Sequence, residues 1–119
     1  MEGVSYSLKD TFTIFDEIKV PVARIRLGGG GARSPLWRQI QADVYGHEIE
    51  TVEAEEGAAY GAAILAGVGA KFWANVDEAC DAIVRIAKRV STDKINSERM
   101  QAGYEVYKRI YPALHSIFN

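Results

Sequence analysis

The chain has 119 residues, with 14 Lys and Arg against 16 Asp and Glu and a net charge of −2. That length suits one domain, able to bury about two-thirds of its unfolded surface around a single core, and the balanced charge offers no basic face for nucleic acid. Cys80 is the only cysteine, so no internal disulfide forms, and with only His47 and His115 to help it a structural zinc site lacks ligands. A reducing cytoplasmic compartment and a small-molecule or protein partner are the expectation. The chain opens Met1, Glu2 without a basic leader, and its longest apolar run, residues 58–70, falls short of the ~18 residues of a membrane span. Neither export nor membrane insertion is expected.

Val4, Leu8, Phe12 and Phe15 recur at helical spacing and predict an amphipathic helix over residues 3–18. Pro21 breaks that pattern and sends the chain extended into a strand over 22–27. Gly28, Gly29, Gly30 and Gly31 follow, and a second helix opens at once. Ser34 is placed to cap it, Pro35 takes the first helical position, and Gly46 ends it in a left-handed conformation. Leu36, Trp37, Ile40 and Val44 mark its apolar face. Residues 47–52 (HEIETV) alternate polar and apolar and read as a short, partly exposed strand.

Residues 55–67 (EEGAAYGAAILAG) form a helix made almost entirely of small residues. A glycine inside a helix costs ~1 kcal/mol relative to alanine, so Gly57 and Gly61, on one face, need a reason. One reason is tight packing of helix on sheet; the other is a thin helix that leaves room beside a nucleotide. Asn75 and Glu78 form a capping box, after which Val76, Ala79, Cys80, Ile83, Ala87 and Val90 continue at helical spacing with Cys80 as a buried, inert thiol. A last helix starts near Ser97 and carries Met100, Tyr104, Tyr107, Tyr111, Leu114 and Phe118 as a docking stripe, with a kink at Pro112. Only two strands are visible. A parallel pair alone leaves bare edges, so the chain reads as one part of a larger α/β sheet.

A strand that ends in glycines and runs into a helix N-terminus is a common phosphate or nucleotide site, because amides without a neighbouring Cβ can approach an anion there. Two familiar motifs fail. No lysine lies near Gly31 to make a P-loop, and the dinucleotide fingerprint meets Arg33 or Ser34 where its third glycine belongs, which disfavours a dinucleotide-dependent oxidoreductase. What matches is LGGGGARSPLWRQIQADVYG followed by EEGAAYGAAILAG. Together these resemble the carboxy-terminal ATP-binding part of the FGGY carbohydrate kinases, most closely the xylulose kinases, and the likeness runs over nearly the whole chain.

The resemblance implies an α/β fold of the actin-like, ribonuclease-H-like ATPase type, with residues 1–119 forming the carboxy-terminal portion only. It implies ATP with Mg2+ as cofactor, with Gly29, Gly30 and Gly31 lining the nucleotide, Ser34 facing the adenine, and Gly57 and Gly61 on the nearby small-residue helix. Arg33 is left to solvent. The catalytic aspartate and sugar pocket of the family belong to an amino-terminal part that is not found here. Asp10, Asp16 and Asp43 read as surface carboxylates, so no catalytic residue is assigned and the chain alone is expected to be inactive. Its partners would be ATP or ADP, that amino-terminal part with its sugar, and a second copy of the chain. The rival reading is a non-catalytic actin-like module that binds a nucleotide or a protein through the tyrosine stripe.

Overall fold

A computed structural model describes residues 1–53 and 57–118; Ala54, Glu55, Glu56, Asn119 and the Phe118 side chain lie outside the described residues, and with them the expected helix start at Glu55. The order is α1 (Glu2–Glu17), β1 (Ile25–Leu27), a 3-10 turn (Gly30–Arg33), α2 (Pro35–Tyr45), β2 (Ile49–Val52), α3 (Gly57–Gly69), α4 (Val76–Ile83), β3 (Ile86–Val90) and α5 (Lys94–Phe118). β1 and β2 are parallel, as expected for strands joined through a helix. β3 was not expected. The helical spacing read through Ala87 and Val90 ends at Ile83, and residues 86–90 instead pair antiparallel with β2. The sheet order is therefore β1-β2-β3.

The third strand changes the standing of β2, which is central and buried rather than partly exposed: Ile49 is fully buried, and Glu50 and Thr51 are nearly so. Ile25, Ile49 and Val90 share a register line and join the core on the side of α2. Arg26, Glu50 and Arg89 make the neighbouring line. Glu50 receives Arg26 Nε and Arg89 Nε, each at 3.2 Å. Burial works against its ionisation, but the Arg26 hydrogen bond and the charges of Arg89, Arg26 and Arg24 outweigh it and hold the carboxyl below its usual range.

α2 is the hub, packed against α1, α5 and the sheet. Val44, Ala42, Tyr45, Gln41 and Asp43 are all buried on it, whereas Leu36, expected in its apolar face, is exposed. Asp43 is thus no surface carboxylate. Its Oδ1 accepts from Gln39 Nε2 at 2.9 Å and from the Asp93 amide at 2.8 Å, which fixes the chain just ahead of α5. Asp10 is also engaged, accepting from the Tyr104 hydroxyl at 2.6 Å. Lys9 reaches from α1 to the Val44 carbonyl (2.7 Å) and to Gln101 Oε1 of α5 (2.6 Å), with its ammonium 5.0 Å from the Tyr104 ring centre. One cation therefore ties three helices.

α1 buries Ser5 and Tyr6, with Phe12 packed on the core, and turns Val4, Leu8, Ile14 and Ile18 outward. The buried face is rotated from the expected stripe. α5 is helical through Pro112, and its residues 108–117 are exposed, so Tyr104 and Tyr107 of the tyrosine stripe pack inward while Tyr111 does not. Cys80 is half-buried. The chain's radius of gyration is 17.6 Å, against about 13.5 Å for a compact chain of this length. Its accessible surface of 8373 Å² likewise exceeds the roughly 6,400 Å² expected for its mass.

Candidate functional site

The glycine loop takes its shape from local chemistry. Gly29 has φ +76°, a backbone conformation that L side chains rarely adopt, and it opens the 3-10 turn Gly30–Arg33. The turn closes with Ala32 N–H donating to the Gly29 carbonyl and Ser34 N–H to the Gly31 carbonyl, both at 3.1 Å. Ser34 then leaves the helical region, and its Oγ accepts from Trp37 N–H at 3.2 Å while Pro35 takes the first helical position. At the other end Gly46, at φ +71°, stops α2 as expected. Gly31 lies against Trp37, whose ring would stand 3.2 Å from an added Cβ.

Arg38, one turn into α2, folds back under this loop. Its Nη1 donates to the Ala32 carbonyl at 2.6 Å and to the Arg33 carbonyl at 3.1 Å, so the turn is held from beneath by one guanidinium. Arg38 is 6% exposed, and its Nε has no hydrogen-bond partner. That is an uncommon state for a buried donor.

Beside the loop lies a cleft of about 300 Å³, lined by Leu27, Gly28 and Gly29, by Thr51 and Glu53 from the end of β2, and by Arg38 and Lys88 among others. It sits at the carboxyl ends of the parallel strands β1 and β2, where α/β proteins commonly hold ligands because loops and helix N-termini converge there. The space, the left-handed Gly29 and the opening amides of a helical turn, which have no partner within it, suit a polar anionic ligand.

Of the residues singled out by sequence, Gly29 lines the cleft, while Gly30, Gly31 and Ser34 belong to the turn that forms its rim. The Ser34 hydroxyl is engaged as a helix cap. Gly57 and Gly61 lie on α3, outside the cleft lining, and among the described residues a Cβ at either would meet nothing within 4 Å. Among the described residues no sheet packs tightly on them; α3 packs chiefly on α4, with Tyr60 donating to the Ile83 carbonyl at 2.8 Å. Besides Gly31, the glycines that admit close neighbours are Gly67, against Trp73, and Gly103, against Tyr6. Sequence reasoning missed Arg38, Lys88 and Glu53, and it left out Arg33, which lines the cleft. A cation four residues after a cap, able to fold back onto the turn, was the available signal for Arg38. Lys88 could be placed only once β3 was known.

Among the described residues no group of three or more His, Cys, Asp or Glu gathers to hold a metal ion, and no helix is long and apolar enough to cross a membrane. Residues 1–70 match the FGGY family of carbohydrate kinases, C-terminal domain. A xylulose kinase of Staphylococcus xylosus is 32% identical over 111 residues, covering 93% of this chain and 23% of that protein. The crystal structure of xylulose kinase from Rhodospirillum rubrum superposes with a TM-score of 0.82 at 27% identity, over 98% of this chain and 24% of that one. A gluconate kinase from Lactobacillus acidophilus, at 23% identity, shares the fold with a TM-score of 0.83 over 95% of this chain and 23% of its own. The chain thus spans about a quarter of the length of the relatives it matches. Its architecture is the carboxy-terminal portion of the actin-like ATPase fold of these kinases.

Proposed function

The chain belongs to the FGGY family of carbohydrate kinases, and from that premise we propose that it forms the adenosine side of the cleft in an enzyme that transfers the γ-phosphate of Mg-ATP to a sugar hydroxyl. The observation that carries this reading is the cleft at the ends of β1 and β2, rimmed by the left-handed Gly29 and the turn after it. Gly29, Gly30 and Gly31 would approach the nucleotide with their backbone, and Ser34 would fix the edge nearest the base while capping α2. Gly57 and Gly61 would present a flat face of α3 to the same ligand. Mg2+ would enter with the nucleotide, chelated by its phosphates, and would supply charge neutralisation during transfer.

D-Xylulose is the proposed acceptor, in keeping with the xylulose kinases among the relatives. The general base and the sugar pocket would come from an amino-terminal part, so this chain alone would bind but not phosphorylate. The surplus of exposed surface over that of a compact chain, roughly 2,000 Å², is of the order of a protein–protein interface and gives such a part a place to seat.

The test is an amide NMR titration of the chain with Mg-ADP, following Gly29, Gly30, Gly31 and Ser34, beside an assay of the whole kinase with several ketoses and polyols. Shifts that move together and saturate support the adenosine site. A clear preference for another sugar would overturn the xylulose assignment, and sugar phosphorylation by the chain alone would overturn the division of labour. A well-behaved monomer that saturates with Mg-ADP and associates with no other part of a kinase would favour a free-standing nucleotide-binding module.

A further inference from the structure

The charges around the cleft are unequal. Among the described residues, Arg33, Arg38 and Lys88 line it with Glu53 as the only carboxylate. Arg33, Lys88 and Glu53 are exposed, where water screens them. Arg38 is different in kind, being more than nine-tenths buried. Both of its hydrogen bonds are made by Nη1 and go to neutral carbonyls; among the described residues no carboxylate forms an ion pair with it, and its Nε donates to nothing. A buried cation without an anionic partner is disfavoured unless something completes it, and a buried N–H without an acceptor adds to that cost.

We infer that Arg38 is the anion-selecting residue of the cleft, its buried guanidinium charge being completed by the diphosphate group of a bound nucleotide. Two of its contacts brace the 3-10 turn, and the charge of the same guanidinium, on a residue that lines the cleft, serves the ligand. The glycine rim would then recognise the nucleotide by shape, and Arg38 would make the distinction between a nucleotide and a nucleoside. This assignment takes the nucleotide reading as its premise.

The experiment compares Mg-ADP with adenosine on the wild-type chain and on Arg38→Gln, which keeps a donor for the turn carbonyls and removes the charge. In wild type, Mg-ADP should move the Gly29, Gly30 and Gly31 amides and shift the Arg38 Nε–H signal downfield, while adenosine should move the glycines and leave Nε–H in place. In R38Q the affinity for Mg-ADP should fall about tenfold, the scale of one charge-assisted hydrogen bond, and that for adenosine by less than about twofold. A purely structural role would weaken both ligands alike. If Nε–H stays still at saturating Mg-ADP, or R38Q loses both ligands equally, the role of Arg38 is overturned and the nucleotide site stands. If neither ligand moves the glycines of a well-folded chain, the nucleotide reading fails instead, and inorganic pyrophosphate then decides for Arg38: a shift of Nε–H sustains an anion site and its absence overturns one. Should R38Q not fold, the wild-type Nε–H signal decides alone.

Discussion

Gly103 is where the packing of this chain is most exposed to a single added methyl group. It lies in α5 against Tyr6, and a Cβ there would overlap the Tyr6 hydroxyl oxygen and stand 3.2 Å from Cζ and 3.7 Å from Cε2. Tyr6 has little freedom to yield. It is 7% exposed, its ring centre lies 5.9 Å from that of Tyr104 and 5.6 Å from that of Tyr107, and its hydroxyl rests 3.6 Å from Met100 Sδ. In an open helix, Gly→Ala stabilises by ~1 kcal/mol. Forcing a group into a filled core costs ~1–3 kcal/mol, and a pinned aromatic ring puts this site toward the upper end. Gly103→Ala should therefore destabilise the chain by about 1–2 kcal/mol net, read as a lower urea midpoint with an unchanged slope. In a Tyr6→Phe background the overlapping oxygen is gone, so the same substitution should cost about 1 kcal/mol less, a coupling that a double-mutant cycle isolates. A higher urea midpoint for Gly103→Ala in the wild-type background would refute the seam between α1 and α5.

Three further outcomes follow from the same contacts. Tyr45, whose hydroxyl donates to Gln41 Oε1 at 3.0 Å, is pushed by burial up to about 12; a phenol whose folded pKa is raised contributes full stability below pH ~10 and loses it as pH rises toward the folded value. The unfolding free energy from urea melts should fall steeply between those values, by about 2–3 kcal/mol in all, and Tyr45→Phe should flatten the fall. Ser34→Ala should cost about 1 kcal/mol through loss of the cap and should weaken Mg-ADP binding beyond that loss of stability, which separate thermal melts and titrations will resolve; unchanged binding would remove Ser34 from the site. Small-angle scattering at low concentration should give a radius near the Cα value of 17.6 Å, with association as concentration rises, whereas a radius near that of a compact chain would contradict the extended arrangement.

Much of the glycine loop and its helix was readable from residues because the signals are local. A glycine that must adopt positive φ, a serine one residue before a proline, and a glycine after the last apolar turn each specify backbone geometry without help from distant parts of the chain. β3 was lost because its apolar residues, Ile86 and Val90, stand four apart, a spacing that serves a helix as well as a strand, and only pairing with β2 decides between them. The turned face of α1 was lost for a related reason. Val4 and Leu8 on one side compete with Ser5 and Tyr6 on the other, Phe12 lies between the two, and which side is covered depends on α2 and α5. Asp43 reads as a surface carboxylate, and β2 as partly exposed, because the partners of Asp43 and Glu50, the Asp93 amide and the arginines of neighbouring strands, are remote in sequence or lie across the sheet.

The three-way anchorage of Lys9 also bears on how the chain opens. Because α1, α2 and α5 meet at one ammonium, loosening any of them disturbs the other two, and they form a single cooperative unit with the sheet. α3 and α4 stand apart from that unit, held mainly to each other by the Tyr60 hydroxyl and the Trp73 ring against Gly67. Regions with few contacts outside themselves are the first to unfold locally. The helix pair bearing Gly57 and Gly61 can therefore move relative to the sheet while the glycine turn keeps its shape, so that the rim of the cleft is a permanent feature and the helices beyond it are not.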